Sequence, residues 1–384
     1  MNSAPLRDLV SLLGKNGWTN RVEQLRLRLS AGAQSGKLAA QRFAAEAAIE
    51  KARRGLALTA PESALVELAT RLPALYENLS PSGQTRLAES LDTALTGDAT
   101  LTPLLHIMHT AGLQESRGFA VGFAGLELGT PYDLIIERDG TSAEIACETL
   151  SAEDGRSVHR AAWTQLIDRV DPDLQTWLAA HPGRYLLKMT LPKGLKAGTE
   201  NLPELHERIK TMLAAARRAD YDEAAILRLD PLLLAGAQAF DQGGGMMAKL
   251  RREFGPEANF AVTETGTSLL VMAARGAQDE IPGAMRQRLS SIAPARLSGA
   301  RPGILAMFID DTDRTEWQDL RDQLRLEGEA RQFLTFPEAK PVIAVTCASR
   351  FELVNAQGSE LRFRNPMHPL AKSPALAPAV LSTL

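Results

Sequence analysis

The stretch from residue 133 to residue 148 constrains the fold more than any other. Residues 133–138 and 143–148 are short strand-like runs, and Asp139 and Gly140 between them form a standard hairpin turn signal. A hairpin makes its two strands antiparallel, so a sheet that contains them cannot be purely parallel. Further strand-like runs follow, alternating with helical patterns. The chain therefore reads as an α/β layer architecture built on a mixed sheet.

The region before the hairpin has a different texture. Residues 1–115 look all-helical. Leu6, Val10, Leu12 and Leu13 form an apolar stripe, and residues 37–54 are rich in strong helix formers. Pro61 opens another helix, and Ser80, Pro81, Ser82 and Gly83 separate it from the next. After Gly118 the strand-like runs are 119–123, 133–138, 143–148, 184–191, 223–230, 259–263, 268–273, 303–310, 341–347, 351–355 and 360–364. Helical patterns cover 157–170, 202–219, 242–254, 284–297 and 316–326. The expected organisation is a helical N-terminal region, 1–115, followed by a mixed α/β region, 116–384. Residues 365–384, rich in Pro, Ala and Leu, read as an irregular arm.

Composition narrows the function classes. With 45% hydrophobic and 23% charged residues in 384 positions, the core can be large and needs neither metal nor disulfide. Cys147 and Cys347 both lie in apolar runs and read as buried free thiols. A net charge of −3 argues against a generally basic nucleic-acid coat. A local basic groove remains open, because most of the cations are Arg, which suits phosphate. No basic segment followed by an apolar one opens the chain, and no apolar run approaches the roughly 20 residues of a membrane span. The expected location is cytoplasmic, away from membranes.

Strand alternation gathers acids on one face of the hairpin. Asp133, Ile135 and Glu137 share one side of the first strand. Ser142, Glu144, Ala146 and Glu148 share one side of the second, while Ala143, Ile145 and Cys147 take the apolar side. The two carboxylates of the second strand are roughly 13 Å apart end to end, and Asp133 can meet Glu144 across the strands. Convergent carboxylates suit Mg²⁺, which takes oxygen ligands and water, activates that water and offsets charge on a phosphate.

Asp133, after Pro131 and Tyr132, and the acidic second strand ending in Thr149, Leu150 and Ser151 resemble the PD-(D/E)xK, or restriction-endonuclease-like, nuclease superfamily. The resemblance covers residues 105–195. It implies a restriction-endonuclease-like core and metal-dependent phosphodiester hydrolysis of DNA or RNA with Mg²⁺ or Mn²⁺. It casts Asp133 and Glu144 as metal ligands and Glu148 and Glu115, the latter on the preceding helix, as further ones. The motif is degenerate. The triplet reads either Ala146, Cys147, Glu148 or Glu144, Ile145, Ala146, and neither alignment supplies the lysine that helps orient the nucleophile. Arg156 or His159, on the following segment, are the candidate replacements: His as base or cation, Arg only as cation. The alternative is a non-catalytic binding or scaffold protein, with a nucleic-acid or protein partner, that kept the fold and lost the site.

Other constellations have ordinary structural readings. His106 and His109 are one helical turn apart with no acidic partner in a ligand spacing. Asp310, Asp311 and Asp313 suit a turn and a helix cap. Gly243, Gly244 and Gly245 precede a helical pattern without Walker spacing.

Overall fold

The structure, a computed structural model, describes residues 3–196, 201–232, 243–255, 257–276, 280–354 and 360–381. The chain opens with helices α1 (Ser3–Leu12), α2 (Lys15–Leu29), α3 (Ala33–Arg42), α4 (Ala44–Arg53), α5 (Ala60–Ala69), α6 (Leu72–Asn78), α7 (Pro81–Ala94) and α8 (Thr102–Ser116). Next come β1 (Ala120–Gly122), α9 (Ala124–Leu128), β2 (Leu134–Arg138) and β3 (Thr141–Ser151). After these lie α10 (Arg160–Ala180), β4 (Arg184–Leu191), α11 (Asn201–Ala214), β5 (Ala219–Tyr221), β6 (Ile226–Pro231), α12 (Gly243–Phe254), β7 (Asn259–Thr265) and β8 (Ser268–Gly276). The chain closes with α13 (Ile281–Arg296), β9 (Gly303–Asp310), α14 (Arg314–Asp322), α15 (Arg325–Phe333), β10 (Val342–Ala348), α16 (Arg350–Leu353), β11 (Leu361–Arg364) and α17 (Ala377–Val380). Among the described residues no helix is long and apolar enough to cross a membrane.

The chain divides into two compact units, but not at residue 115 as its texture suggested. The first comprises Met1–Leu27, Ala40–Ser151 and Pro282–Leu384; the second comprises Arg28–Ala39 and Ala152–Ile281. The second is thus largely an insertion between β3 and α13. The expected nuclease-like segment, 105–195, is split by this boundary.

In the first unit a six-stranded sheet runs β1-β2-β3-β9-β10-β11. β1, β2 and β3 form an antiparallel meander, β3, β9 and β10 are parallel, and β11 closes the far edge antiparallel. The mixed character follows from the sequence. The hairpin imposes antiparallel pairing on one side, and helical crossovers impose parallel pairing on the other. β9 is buried along its length except at Asp310, and β10 throughout, as strands covered on both faces are. The helical region packs around a leucine-rich core that includes Leu72, Leu87, Leu91 and Leu105 and also takes in Phe308 of β9 and Ala348 of β10. Its helix starts are chemically defined. Thr59 and Glu62 form a reciprocal capping box on α5, and the Ser80 hydroxyl accepts from the Gly83 amide on α7.

The second unit is built on a five-stranded sheet, β5-β6-β4-β8-β7. β4 and β8 are parallel, and the other pairs are antiparallel. Trp163, Leu166 and Val170 of α10 pack with Leu187 and Met189 of β4 and with Ile209 of α11.

Several local expectations need correction. Residues 351–355 do not begin a strand: Arg350–Leu353 is a helical turn, and Asn355 lies outside the described residues. The helix expected over 202–219 stops at Ala214, and Ala219 opens β5. The helix expected from 242 begins within the glycine run, at Gly243, with Gln242 outside the described residues. Residues 382–384 of the expected arm are likewise outside them.

Candidate functional site

The hairpin folds by the rules that marked it. Arg138 pairs with Thr141 across the two-residue turn, and Asp139 and Gly140 both have positive φ, 50° and 71°. That is the type I′ geometry that matches strand twist. In the register Ile135 faces Glu144 and Glu137 faces Ser142. Ala143, Ile145 and Cys147 pack into the core with Leu134 and Ile136. The opposite face carries the acids.

Arginines from the helix that returns to β9 meet these acids. Asp133 Oδ2 accepts the Cys147 amide at 2.7 Å and Arg296 Nη2 at 2.7 Å. Glu148 Oε2 accepts Arg296 Nη1 at 3.1 Å. The third guanidinium nitrogen, Nε, donates to the Pro131 carbonyl. Arg296 therefore spends its whole fork on the head of β2 and the middle of β3, bridging two carboxylates. Glu148 Oε1 takes Arg288 as well, through Nε at 3.0 Å and through Nη2. Side-chain exposure at the bridge is 30% for Arg296, 18% for Asp133 and 11% for Glu148, so solvent screens it only partly. Burial pushes the Asp133 carboxyl above its ordinary value; Arg296 and the Cys147 amide pull it back, and Glu148 adds to the rise.

Glu144 has a different environment. It is fully buried, and its carboxylate accepts the Ser298 amide at 2.9 Å and the Ser298 hydroxyl. Arg301 stands 3.8 Å away. Glu144 thus holds the turn that follows α13. The expected meeting of Asp133 with Glu144 is replaced by a meeting of Asp133 with Glu148, through Arg296. Glu115, on α8, pairs with Arg71 at 3.1 Å, and both side chains are more than two-fifths exposed. Among the described residues no three His, Cys, Asp or Glu side chains group so as to hold a metal ion.

The cations expected to stand in for lysine belong to the second unit. Arg156 is buried there against Glu153, whose carboxylate also takes the Arg160 amide at 2.6 Å. His159 occupies the N-cap position of α10, and its amide donates to the Leu195 carbonyl at 2.8 Å. The cation beside Asp133 and Glu148 is Arg296, a residue the sequence reading did not single out. It lies 163 positions from Asp133, beyond the inserted unit. Its one local signal was a basic residue in the last turn of a helix.

The remaining motifs take structural roles. Asp313 caps α14 in a box with Glu316. Asp311 adopts φ 57° and accepts the Ser151 hydroxyl at 2.6 Å. The neighbouring Asp310 carboxyl is pushed up to about 6, by burial first and then by Asp311. Cys147 and Cys347 are free and buried, and burial raises both thiols. No family model, curated protein or solved structure matches this chain.

Proposed function

We propose that this protein is a nuclease-like binding protein in which a guanidinium stands where the nuclease resemblance asks for a metal ion. It holds nucleic acid, DNA or RNA, without cutting it. The observation that carries this reading is the Arg296 bridge between Asp133 and Glu148. Mg²⁺ takes oxygen lone pairs at about 2.0–2.1 Å. An ion entering here must first displace a side chain that already donates to both carboxylates and to the Pro131 carbonyl. Arg stays protonated at every physiological pH, so it cannot act as the missing base. The helix-then-hairpin order, with Asp133 at the head of the first strand, supports descent from a nuclease-like core. Arg288 and Arg301, each close to half exposed, supply cations of the kind that grip phosphate.

The test pairs binding with cleavage. Labelled single- and double-stranded DNA and RNA are titrated in Mg²⁺, in Mn²⁺ and in EDTA. The expected result is binding that weakens with salt, is indifferent to EDTA and is lost in Arg288→Glu/Arg301→Glu, with no cleavage under any condition. Metal-dependent cleavage that disappears in Asp133→Ala overturns it in favour of an active nuclease. Absence of binding to all four substrates overturns the nucleic-acid assignment and leaves a protein partner.

A further inference from the structure

On the face of the first unit's sheet opposite the acids, α8 carries four polar side chains inward: His106, His109, Thr110 and Gln114. With Glu360, all four line a cavity of about 10 Å³ between α8 and the strands, its apolar wall made by Ile145, Ile304 and Ala306. Four side-chain atoms on its lining residues are buried and have no hydrogen-bond partner among the described residues: His106 Nδ1, His109 Nε2, Gln114 Oε1 and Glu360 Oε2. Four such atoms on the walls of one cavity is a concentration that native interiors avoid unless something satisfies them together. We infer that this cavity binds one water molecule, which joins α8 to the sheet and to Glu360.

The hydrogen-bond inventory selects the ligand. His106 Nε2 lies 3.0 Å from the Ala306 carbonyl, which can only accept, so Nε2 carries the ring proton and Nδ1 is an acceptor. Gln114 Oε1 and the Glu360 carboxylate also accept. A ligand that donates two protons serves two of these three acceptors, and His109 Nε2 can donate to it in return. Water meets both demands, and the volume is about that of one water. Burial lowers both imidazoles to about 4, so neither ring is a cation near pH 7.

A cation is the poorer fit. The Glu360 carboxylate already pairs with Arg117, and Arg362 lies 3.9 Å from the same oxygen. Two positive charges thus face one negative charge before any ion enters. The His109 pair with His106, which the sequence reads as simple helix packing, becomes half of a hydration site.

The test needs first the unmodified protein. A crystal structure at high resolution is expected to show one water peak within hydrogen-bond distance of at least three of the four atoms. Oxygen-17 relaxation dispersion is expected to count one fewer long-lived water in Gln114→Leu and in His109→Leu than in the parent. Collapsed cavity walls with the four atoms paired among themselves overturn the inference, as does an anomalous peak marking a metal. Unchanged relaxation amplitude in folded variants overturns it too. If neither variant folds, the electron density of the parent decides.

Discussion

Replacing Arg296 by Ala removes a cation from between Asp133 and Glu148 and leaves two carboxylates facing each other. Three charge-assisted hydrogen bonds go, two of them to carboxylates. A hydrogen bond to a charged group contributes about 1.5–3 kcal/mol, and an abandoned, largely buried charge adds a penalty. The 30% exposure of Arg296 lets water recover part of this. The net destabilisation is about 2–4 kcal/mol at neutral pH, read as a lower urea midpoint for the first unit. Acidification should narrow the gap between parent and variant, because protonated carboxyls no longer repel. The sharper readout is metal. In the variant, Asp133 and Glu148 offer oxygen ligands to Mn²⁺ with no resident competitor. Binding at 100 times the dissociation constant returns about 2.7 kcal/mol. Mn²⁺ should therefore raise the midpoint of Arg296→Ala and leave that of the parent unmoved. A variant as stable as its parent, or a parent that responds to Mn²⁺ as strongly as the variant, refutes the claim that the guanidinium fills a metal's place.

Three further outcomes follow from other parts of the molecule. Asp310, raised to about 6 from an ordinary 3.8, holds its proton more tightly when folded, so its contribution to stability is full below pH 3.8 and is lost as pH rises through about 6. Asp310→Asn should flatten the pH dependence of thermal unfolding between pH 4 and 7 and raise stability at pH 7 by about 1–3 kcal/mol. Arg21, 1% exposed, donates to the carbonyls of Ala94, Gly97 and Ala99 at the end of α7, and Arg21→Met should cost about 3–5 kcal/mol in chemical denaturation by stranding them. Gly140 has φ 71° and open space where a Cβ would stand, so Gly140→Ala should cost about 1 kcal/mol from backbone strain alone, measured by the same method.

Local chemistry made much of the fold legible. β4 and β9 have the bounds their apolar runs suggested, and the hairpin turn, its alternation and its buried face follow from residues within a few positions of one another. α16 shows how a local signal can be outvoted. Phe351 and Val354 suggest a strand, yet Ser349 and Glu352 form a capping box that starts a helical turn. The carboxylates of the candidate site were visible, and their partners were not. Which cation reaches Asp133 depends on how α13 packs after a whole unit intervenes, and no short-range pattern encodes that. The excursion at Ser151 and the return at Pro282 leave no mark in composition, because each boundary falls beside an ordinary structural element.

That excursion sets an order of events during synthesis. β3 pairs in parallel with β9, Glu144 beside Gly303 and Ser151 beside Asp310. At about 5–20 residues per second the ribosome needs roughly 10–30 s to deliver β9 after β3 has emerged. Throughout that interval one edge of β3 has its amides and carbonyls without the neighbour they will finally have, whereas the inserted unit has all of its strands once Gly276 has been made, before β9. The nascent chain would thus complete its middle before its ends, and the first unit can close its sheet only when translation is nearly done.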